Sequence, residues 1–203
     1  MRWIFRVSQF IVRIFFRLLF RIEVQGREHI PRRGKILLAA NHVSAYDPPL
    51  VGCFVPRVLY FLAKKELFHN PLLGALIRFY RAIPVDRHDI GHTTIRRINE
   101  LLAEGEAVLL FPEGTRSRTG QIGAPRSGVG MIAAMNNTDI VPVRVDGLFG
   151  ARGSLLRRPR IKIMFGPVIS VGPFLQNGTA PKEVYREIAN AVFARIRDMA
   201  GAV

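Results

Sequence analysis

The sequence predicts a single α/β domain, in which a mixed central sheet is flanked by helices and preceded by an amphipathic helix. One observation is that short apolar segments of strand length alternate with segments whose apolar residues recur at helical spacing. A second is that the chain has 203 residues, 49% of them hydrophobic, which is enough for one buried core. No internal repeat or long linker divides it. We therefore expect an interfacial helix over residues 1–25 and one folded domain over residues 26–203.

The elements follow one another in a simple order. The predicted strands cover residues 36–40, 58–62, 83–85, 108–111, 140–145 and 161–165. The predicted helices cover residues 71–80, 91–104 and 128–135, and a last helix begins near Pro181. Ligands of open α/β sheets bind beyond the carboxyl ends of the strands. Polar residues that directly follow a predicted strand are therefore the first candidates for a site.

The N-terminal segment resembles a helix that lies on a membrane surface. Its arginines fall within an arc of roughly 100° when 100° of rotation is assigned to each helical residue. They are Arg2, Arg6, Arg13, Arg17 and Arg21. They interrupt the apolar residues, so no run of eighteen apolar residues exists. We expect the apolar face to contact the acyl region of a bilayer and the arginines to contact anionic headgroups. The alternative is a helix that only packs on the protein.

The charge balance indicates an anionic partner. The chain carries 30 Lys and Arg against 15 Asp and Glu, a formal net charge of +15. Such a surface suits nucleic acid, an acidic membrane or a phosphorylated substrate. No recognised nucleic-acid motif or aromatic stacking array accompanies the charge. The one cysteine, Cys53, lies in an apolar run, and we expect it to be buried.

The string NHVSAYDP at residues 41–48 contains a possible catalytic pair. A neutral imidazole can accept a proton from an alcohol, which makes His42 the candidate general base. Asp47 can hold one ring nitrogen as a donor, leaving the other free to accept. Residues five apart do not share a helical face, so the pair requires a turn, after which Asp47-Pro48 starts a helix.

Two other chemistries fit this sequence less well. Ser44 lies close to His42, but no Gly-x-Ser-x-Gly elbow surrounds it. We therefore expect the nucleophile to belong to the substrate. The remaining histidines show no metal-ligand spacing with cysteine or carboxylates, so we expect no metal.

The string FPEGTRS at residues 111–117 follows a predicted buried strand and suits an anion. Gly114 permits a turn that exposes backbone amides, Thr115 and Ser117 add hydroxyl groups, and Arg116 adds a planar fork. It is not a Walker loop, since no Gly-x4-Gly-Lys precedes it. Further cations, Arg87 and Lys64, also follow short strands.

Together these motifs resemble the 1-acyl-sn-glycerol-3-phosphate acyltransferase family of glycerolipid and lysophospholipid acyltransferases. Four family blocks occur in order over roughly residues 30–170: Asn41-His42 with Asp47, the stretch 82–87, the stretch 111–117, and the stretch 140–143. Arg81 stands where a glycine is common in the family.

The resemblance implies a mechanism and a set of binding residues. His42 and Asp47 would activate the free hydroxyl of a lysophospholipid, which attacks an acyl thioester carried on coenzyme A or acyl carrier protein. The residues associated with the acceptor phosphate are Arg87, Glu113, Gly114, Thr115 and Arg116, with Lys64 as a weaker candidate. Pro142 belongs to a block associated with the acyl site. No cofactor is implied beyond the acyl-CoA or acyl-ACP co-substrate.

Several alternatives stay open at this point. The acceptor expected from the resemblance is 1-acyl-sn-glycerol-3-phosphate, giving phosphatidic acid, but another lysolipid or an aminolipid would use the same blocks. A thioesterase would replace the alcohol with water, and a non-catalytic basic protein would bind acidic membranes. We expect a peripheral, monotopic protein on the cytoplasmic face of the cell membrane, with a phospholipid surface and not nucleic acid as its partner.

Overall fold

A computed structural model describes residues 2–86, 91–153, 156, 158–176 and 181–200. The helices are α1 (Arg2–Leu19), α2 (Asp47–Phe54), α3 (Pro71–Phe79), α4 (His92–Ala103), α5 (Gly128–Met135), α6 (Gly172–Leu175) and α7 (Pro181–Asp198). The strands are β1 (Arg21–Gln25), β2 (Ile36–Ala40), β3 (Leu59–Lys64), β4 (Ala82–Val85), β5 (Ala107–Leu110), β6 (Ile140–Asp146) and β7 (Arg160–Phe165). Short 3₁₀ turns lie at Arg27–His29 and Lys65–Phe68.

The seven strands form one sheet in the order β1-β7-β6-β2-β5-β3-β4. Strands β2 to β6 run parallel to one another, whereas β7 is antiparallel to β6 and parallel to β1. The sheet is therefore mixed, and the predicted α/β class is confirmed. The central strands β2 and β5 are completely buried, as expected for continuous apolar runs covered on both faces.

Helices cover the sheet through two separate apolar clusters. One contains residues of α1 and α2, including Phe16 and Phe54, together with Phe20 after α1. The other contains residues of α4, α5 and α7, including Ile98 and Phe193. Cys53 belongs to the first cluster, and its thiol donates to the Leu50 carbonyl at 3.2 Å. Burial raises the pKa of this thiol to about 12, so the cysteine has the packing role that its apolar surroundings predicted.

The N-terminal helix is shorter than expected. It ends at Leu19, and residues 21–25, expected as its last turn, form β1 and pair with β7. Alternating burial along these five residues explains the difference, because a strand at the sheet edge buries every second side chain. Among the described residues no helix combines the length and apolar character needed to cross a membrane.

The arginines of α1 are not equivalent in the structure, although the sequence placed them on one stripe. Arg13 turns toward the protein and donates to the Cys53 carbonyl at the end of α2, at 2.7 and 3.1 Å. Arg6 and Arg17 are exposed, whereas Arg21 belongs to β1. Arg13 and Arg17 also lie over the Phe54 ring, at 5.5 and 5.7 Å from its centroid, so the stripe contributes contacts with α2 as well as surface charge.

Candidate active site

Two neighbouring parallel strands end at the candidate site. Asn41 directly follows β2, and Phe111 directly follows β5, which pairs with β2. The two strings identified in the sequence are therefore adjacent in space, at the carboxyl edge of the sheet. This placement is the one predicted for ligand sites in open α/β sheets.

His42 and Asp47 form the predicted pair. The ring Nδ1 of His42 lies 2.7 Å from Oδ2 of Asp47, and the aspartate side chain is fully buried. The backbone amides of Val43 and Ser44 donate to the same oxygen, each at 2.8 Å. Helix α2 begins at Asp47 with proline in its first turn, as expected. This turn fixes the carboxylate, and the carboxylate then fixes the imidazole.

The free edge of the imidazole is available to a substrate. Nε2 of His42 has no hydrogen-bond partner within the described part of the chain, and the side chain is 14% exposed. With Nδ1 donating to Asp47, Nε2 is an acceptor that can take a proton. The Ser44 hydroxyl forms a different contact, since its oxygen accepts a hydrogen bond from the Tyr46 amide at 3.2 Å.

Phe111 fixes the imidazole from one side. The His42 and Phe111 rings stack with centroids 4.0 Å apart and an angle of 21° between their planes. Sequence reasoning assigned no role to this phenylalanine. The only feature of the sequence that could have indicated a role for it is its position directly after β5, next to the glycine turn. The ring restricts rotation of His42 and shields one face of it from water.

Glu113 accepts hydrogen bonds from two loops, and the phosphate-binding role that the resemblance implied for it stays a prediction. Its Oε1 accepts the backbone N–H of His42 at 3.0 Å, and its Oε2 accepts the N–H of Gly123 at 3.3 Å. The residue is buried. A carboxylate repels a phosphate, so Glu113 would act on such a ligand through the backbone that it holds. Glu113 is a positioning residue that ties the His42 loop to the loop after β5.

Two further contacts fix the His42 loop. The Ser117 amide donates to the His42 carbonyl at 2.7 Å. The Asn41 side chain is buried and forms two hydrogen bonds with the Val145 backbone, at 2.8 and 2.9 Å. The loop is thus attached to β6 on one side and to the 111–117 segment on the other.

An open, cation-rich cavity of about 840 Å³ lies beside this loop. Its lining includes Val43, which lies in the loop between His42 and Asp47, here called the dyad loop. Three arginines also line the cavity: Arg116, Arg118 and Arg126. Thr115 and Ser117 also line it, as the sequence predicted for an anion site. Arg126 was missed by sequence reasoning because it lies ten residues beyond Arg116 and in no recognised block.

Gly114 forms the turn expected of it, but its amide is not free. Its φ is +71°, and its N–H donates to the Phe111 carbonyl at 2.9 Å. A Cβ at this position would lie 3.1 Å from Cδ of Arg126, so the glycine leaves space for that side chain. The amides of Thr115 and Arg116 have no partner among the described residues and are the ones left for an anion.

The remaining predicted residues lie elsewhere or outside the described residues. Lys64 ends β3 and pairs with Glu66 at 3.9 Å, and it does not line the cavity. Pro142 is buried within β6, where its carbonyl accepts the Gly166 amide at 2.8 Å. Arg87 falls outside the described residues, so its role stays a prediction.

Comparison with known proteins places the chain in a family. The profile of the Acyltransferase family matches residues 21–146, which is more than half of the chain. That match covers both the His42–Asp47 pair and the 111–117 loop. The chain therefore belongs to the acyltransferase family and is an O-acyltransferase.

Several relatives carry a more particular name. The 1-acyl-sn-glycerol-3-phosphate acyltransferase of Bacillus subtilis is 28% identical over 88% of this chain and 87% of its own length. That of Streptococcus pneumoniae is 31% identical over 73% of this chain and 58% of its own length. A lyso-ornithine lipid O-acyltransferase of Rhizobium meliloti is 37% identical over 49% of this chain and 34% of its own length.

A solved structure supports the fold. The crystal structure of the 1-acyl-sn-glycerophosphate acyltransferase from Thermotoga maritima superimposes with a TM-score of 0.77 and 21% sequence identity. The match covers all of this chain and 82% of that chain. At this identity the likeness concerns the fold.

Proposed function

We propose that this protein transfers an acyl group from acyl-CoA or acyl-ACP to the free hydroxyl of 1-acyl-sn-glycerol-3-phosphate, giving phosphatidic acid. The observation that carries the proposal is the His42–Asp47 hydrogen bond of 2.7 Å. It leaves Nε2 without a partner among the described residues, and Val43, the residue after His42, lines a cavity together with three arginines. A base for an alcohol and a site for a phosphate are the two things that this acceptor requires.

The reaction follows from the orientation of His42. Nε2 takes the proton of the acceptor hydroxyl while its oxygen attacks the thioester carbonyl and forms a tetrahedral intermediate. The C–S bond then breaks, the ester remains, and the imidazolium returns its proton to the departing thiolate. Asp47 keeps Nδ1 as a donor and stabilises the imidazolium as it forms.

The cavity favours a phosphate over a zwitterionic headgroup. Arg116, Arg118 and Arg126 line it, whereas the oxygens of the lining carboxylate of Glu113 are engaged by backbone amides. Arginine forks suit phosphate oxygens, and each charge-assisted hydrogen bond contributes about 1.5–3 kcal/mol. The second candidate acceptor is a lyso-ornithine lipid. It is favoured by the likeness to the Rhizobium enzyme, but its ammonium group would meet like charge here.

We also propose that α1 attaches the protein to the surface of an anionic membrane, on its cytoplasmic face. Eight large apolar side chains of this helix are exposed: Trp3, Ile4, Val7, Phe10, Ile11, Ile14, Phe15 and Leu18. Their spacing places them on one face, with Arg6 and Arg17 at its flank. Phe16 on the opposite side contacts the ring of Tyr46 in the dyad loop, with centroids 6.2 Å apart. Membrane contact would therefore lie close to the catalytic residues.

The test of the reaction is a product analysis. The purified protein is offered acyl-CoA and acyl-ACP with lysophosphatidic acid, lyso-ornithine lipid or other lysophospholipids, and the lipid products are identified by mass spectrometry. We expect phosphatidic acid as the main product and no product with His42→Ala. Preferred acylation of lyso-ornithine lipid would replace the acceptor assignment. Free fatty acid as the main product would instead indicate thioester hydrolysis.

A further inference from the structure

Helix α3 presents a second unpartnered apolar face. Leu72, Leu73, Leu76 and Phe79 are all exposed, and Leu72 is 84% exposed. Their spacing of one, three and three residues places them on one side of the helix. Exposed large apolar residues are ordinary when scattered, but a set on one helical face indicates a contact surface.

Helix α3 also contacts α1. The ring of Phe5 in α1 lies 5.9 Å from that of Phe79 and 6.0 Å from that of Tyr80, centroid to centroid. The two helices therefore meet at an aromatic contact on the protein-facing side of α1, and each helix leaves its own set of apolar side chains exposed. Neither face is covered by another element among the described residues.

The charges around the two faces are all of one sign. Residues 2–22 and 67–85 contain no aspartate or glutamate. Arg6, Arg78 and Arg81 are exposed and flank the aromatic contact in sequence. A second copy of the chain, packed face to face, would bring these arginines together and be repelled. An anionic bilayer offers both the apolar interior and the opposite charge.

We propose that α3 is a second membrane-contacting element, so that α1 and α3 together form one surface for an anionic bilayer. This inference rests on the proposed attachment of α1. A single interfacial helix allows the protein to rock about the helix axis, whereas two helices fix its orientation. Helix α3 follows the carboxyl end of β3, which is the edge of the sheet that bears the active site. Two contacts would thus hold that edge at a defined height above the lipid.

The single tryptophan makes the two helices separately observable. Trp3 lies on the exposed face of α1, and the chain has no other tryptophan. The double variant Trp3→Phe/Leu72→Trp moves the probe to α3. Each protein is titrated with vesicles containing phosphatidylglycerol and acyl-chain-brominated lipids, which quench tryptophan on contact. We expect a blue shift and quenching from both positions, and weaker binding to purely zwitterionic vesicles.

The outcomes separate the two proposals. Quenching at position 3 without quenching at position 72 would overturn the role of α3 and leave α1 as the attachment. Quenching at neither position would overturn the proposed membrane attachment itself. A blue shift at position 72 that accompanies dimerisation without vesicles would assign the face to a second copy, and would also overturn the inference.

A matched pair of substitutions gives a second measurement. Leu72→Glu should lower the vesicle partition constant roughly tenfold, because it puts a carboxylate in place of a leucine that the bilayer would bury. Met135→Glu makes the same change in charge at an exposed residue of α5, outside the surface formed by α1 and α3, and should leave partitioning almost unchanged. Equal partition constants for the two variants would contradict the proposal.

Discussion

Oε1 of Glu113 accepts the backbone N–H of His42 at 3.0 Å, across seventy-one residues of sequence. The contact joins the two loops that follow β2 and β5, and the second oxygen of the same carboxylate accepts the Gly123 amide. His42 is therefore positioned by the loop that carries the phosphate-binding candidates. A substitution in one loop should therefore change the conformation of the other.

Replacement of Glu113 by glutamine should lower kcat and thermal stability together. The glutamine oxygen can replace only one of the two acceptors, so one partly buried N–H faces an amide donor, at a cost of about 1 kcal/mol. Kinetics with each substrate varied, together with a melting curve, would measure this. The control is Glu28→Gln, at an exposed residue. A higher acceptor KM with unchanged kcat and melting temperature would support the phosphate-binding role.

The dyad makes the most direct prediction. His42→Ala should reduce kcat by about 10²–10⁴-fold or more, because general base catalysis contributes that much. Asp47→Asn should also reduce it strongly, because the imidazole loses its orientation, whereas Ser44→Ala should have a mild effect. Circular dichroism would show that the His42 variant is folded. An inactive Ser44→Ala, with an acyl-serine trapped on the native enzyme, would indicate a covalent mechanism instead.

The cavity arginines should act on the acceptor and not on the donor. Arg116→Ala and Arg126→Ala should each raise the KM for lysophosphatidic acid by about 10–100-fold, the equivalent of one charge-assisted hydrogen bond. We expect the same of Arg87→Ala. Arg116→Lys should recover only part of the affinity for the acceptor, because an ammonium group lacks the planar fork of arginine. Arg96→Ala, at an exposed position of α4, is the control. If donor KM rises and acceptor KM does not, the cavity binds the carrier's phosphates.

Cys53 should give stability a pH dependence above about pH 8.5, the usual range of a thiol. Burial raises the pKa of the folded thiol to about 12, so the folded state keeps a proton that the unfolded state releases. The free energy of unfolding should then fall by up to about 1.4 kcal/mol per pH unit from this group. Denaturant titrations of the native chain and Cys53→Ala, compared at pH 8 and pH 10, would measure it. Identical pH slopes would contradict the prediction.

Arg81 should be conformationally costly. Its φ of +67° is a left-handed conformation that costs a non-glycine residue about 1–2 kcal/mol. Arg81→Gly removes this cost but increases the entropy of the unfolded chain, so a net gain of up to about 1 kcal/mol is expected. The control is Arg78→Gly within α3, which should lose about 1 kcal/mol. Thermal unfolding of both variants should therefore show opposite shifts, and a destabilised Arg81→Gly would contradict this.

Glycine adopts the same conformation without strain, which fits the glycine that the resemblance led us to expect where this chain has Arg81. The sequence could show the departure but not the backbone angle behind it. In a similar way, the alternating burial of residues 21–25 became visible only through their pairing with β7. Arg21 continues the helical spacing of the arginines before it. Periodicity alone therefore extended α1 too far, into residues 21–25.

The sequence by itself determined the α/β class, the strand ends that bear the candidate site, and the choice of His42 and Asp47 as the candidate pair. Those features depend on local patterns: apolar runs, the turn before Asp47-Pro48, and the glycine at residue 114. The tertiary structure alone decided the contacts between distant segments. It assigned Glu113 to the His42 backbone, stacked Phe111 on the imidazole and added Arg126 to the cavity. These roles depend on which strands are neighbours in the sheet, and no local pattern of residues encodes that order.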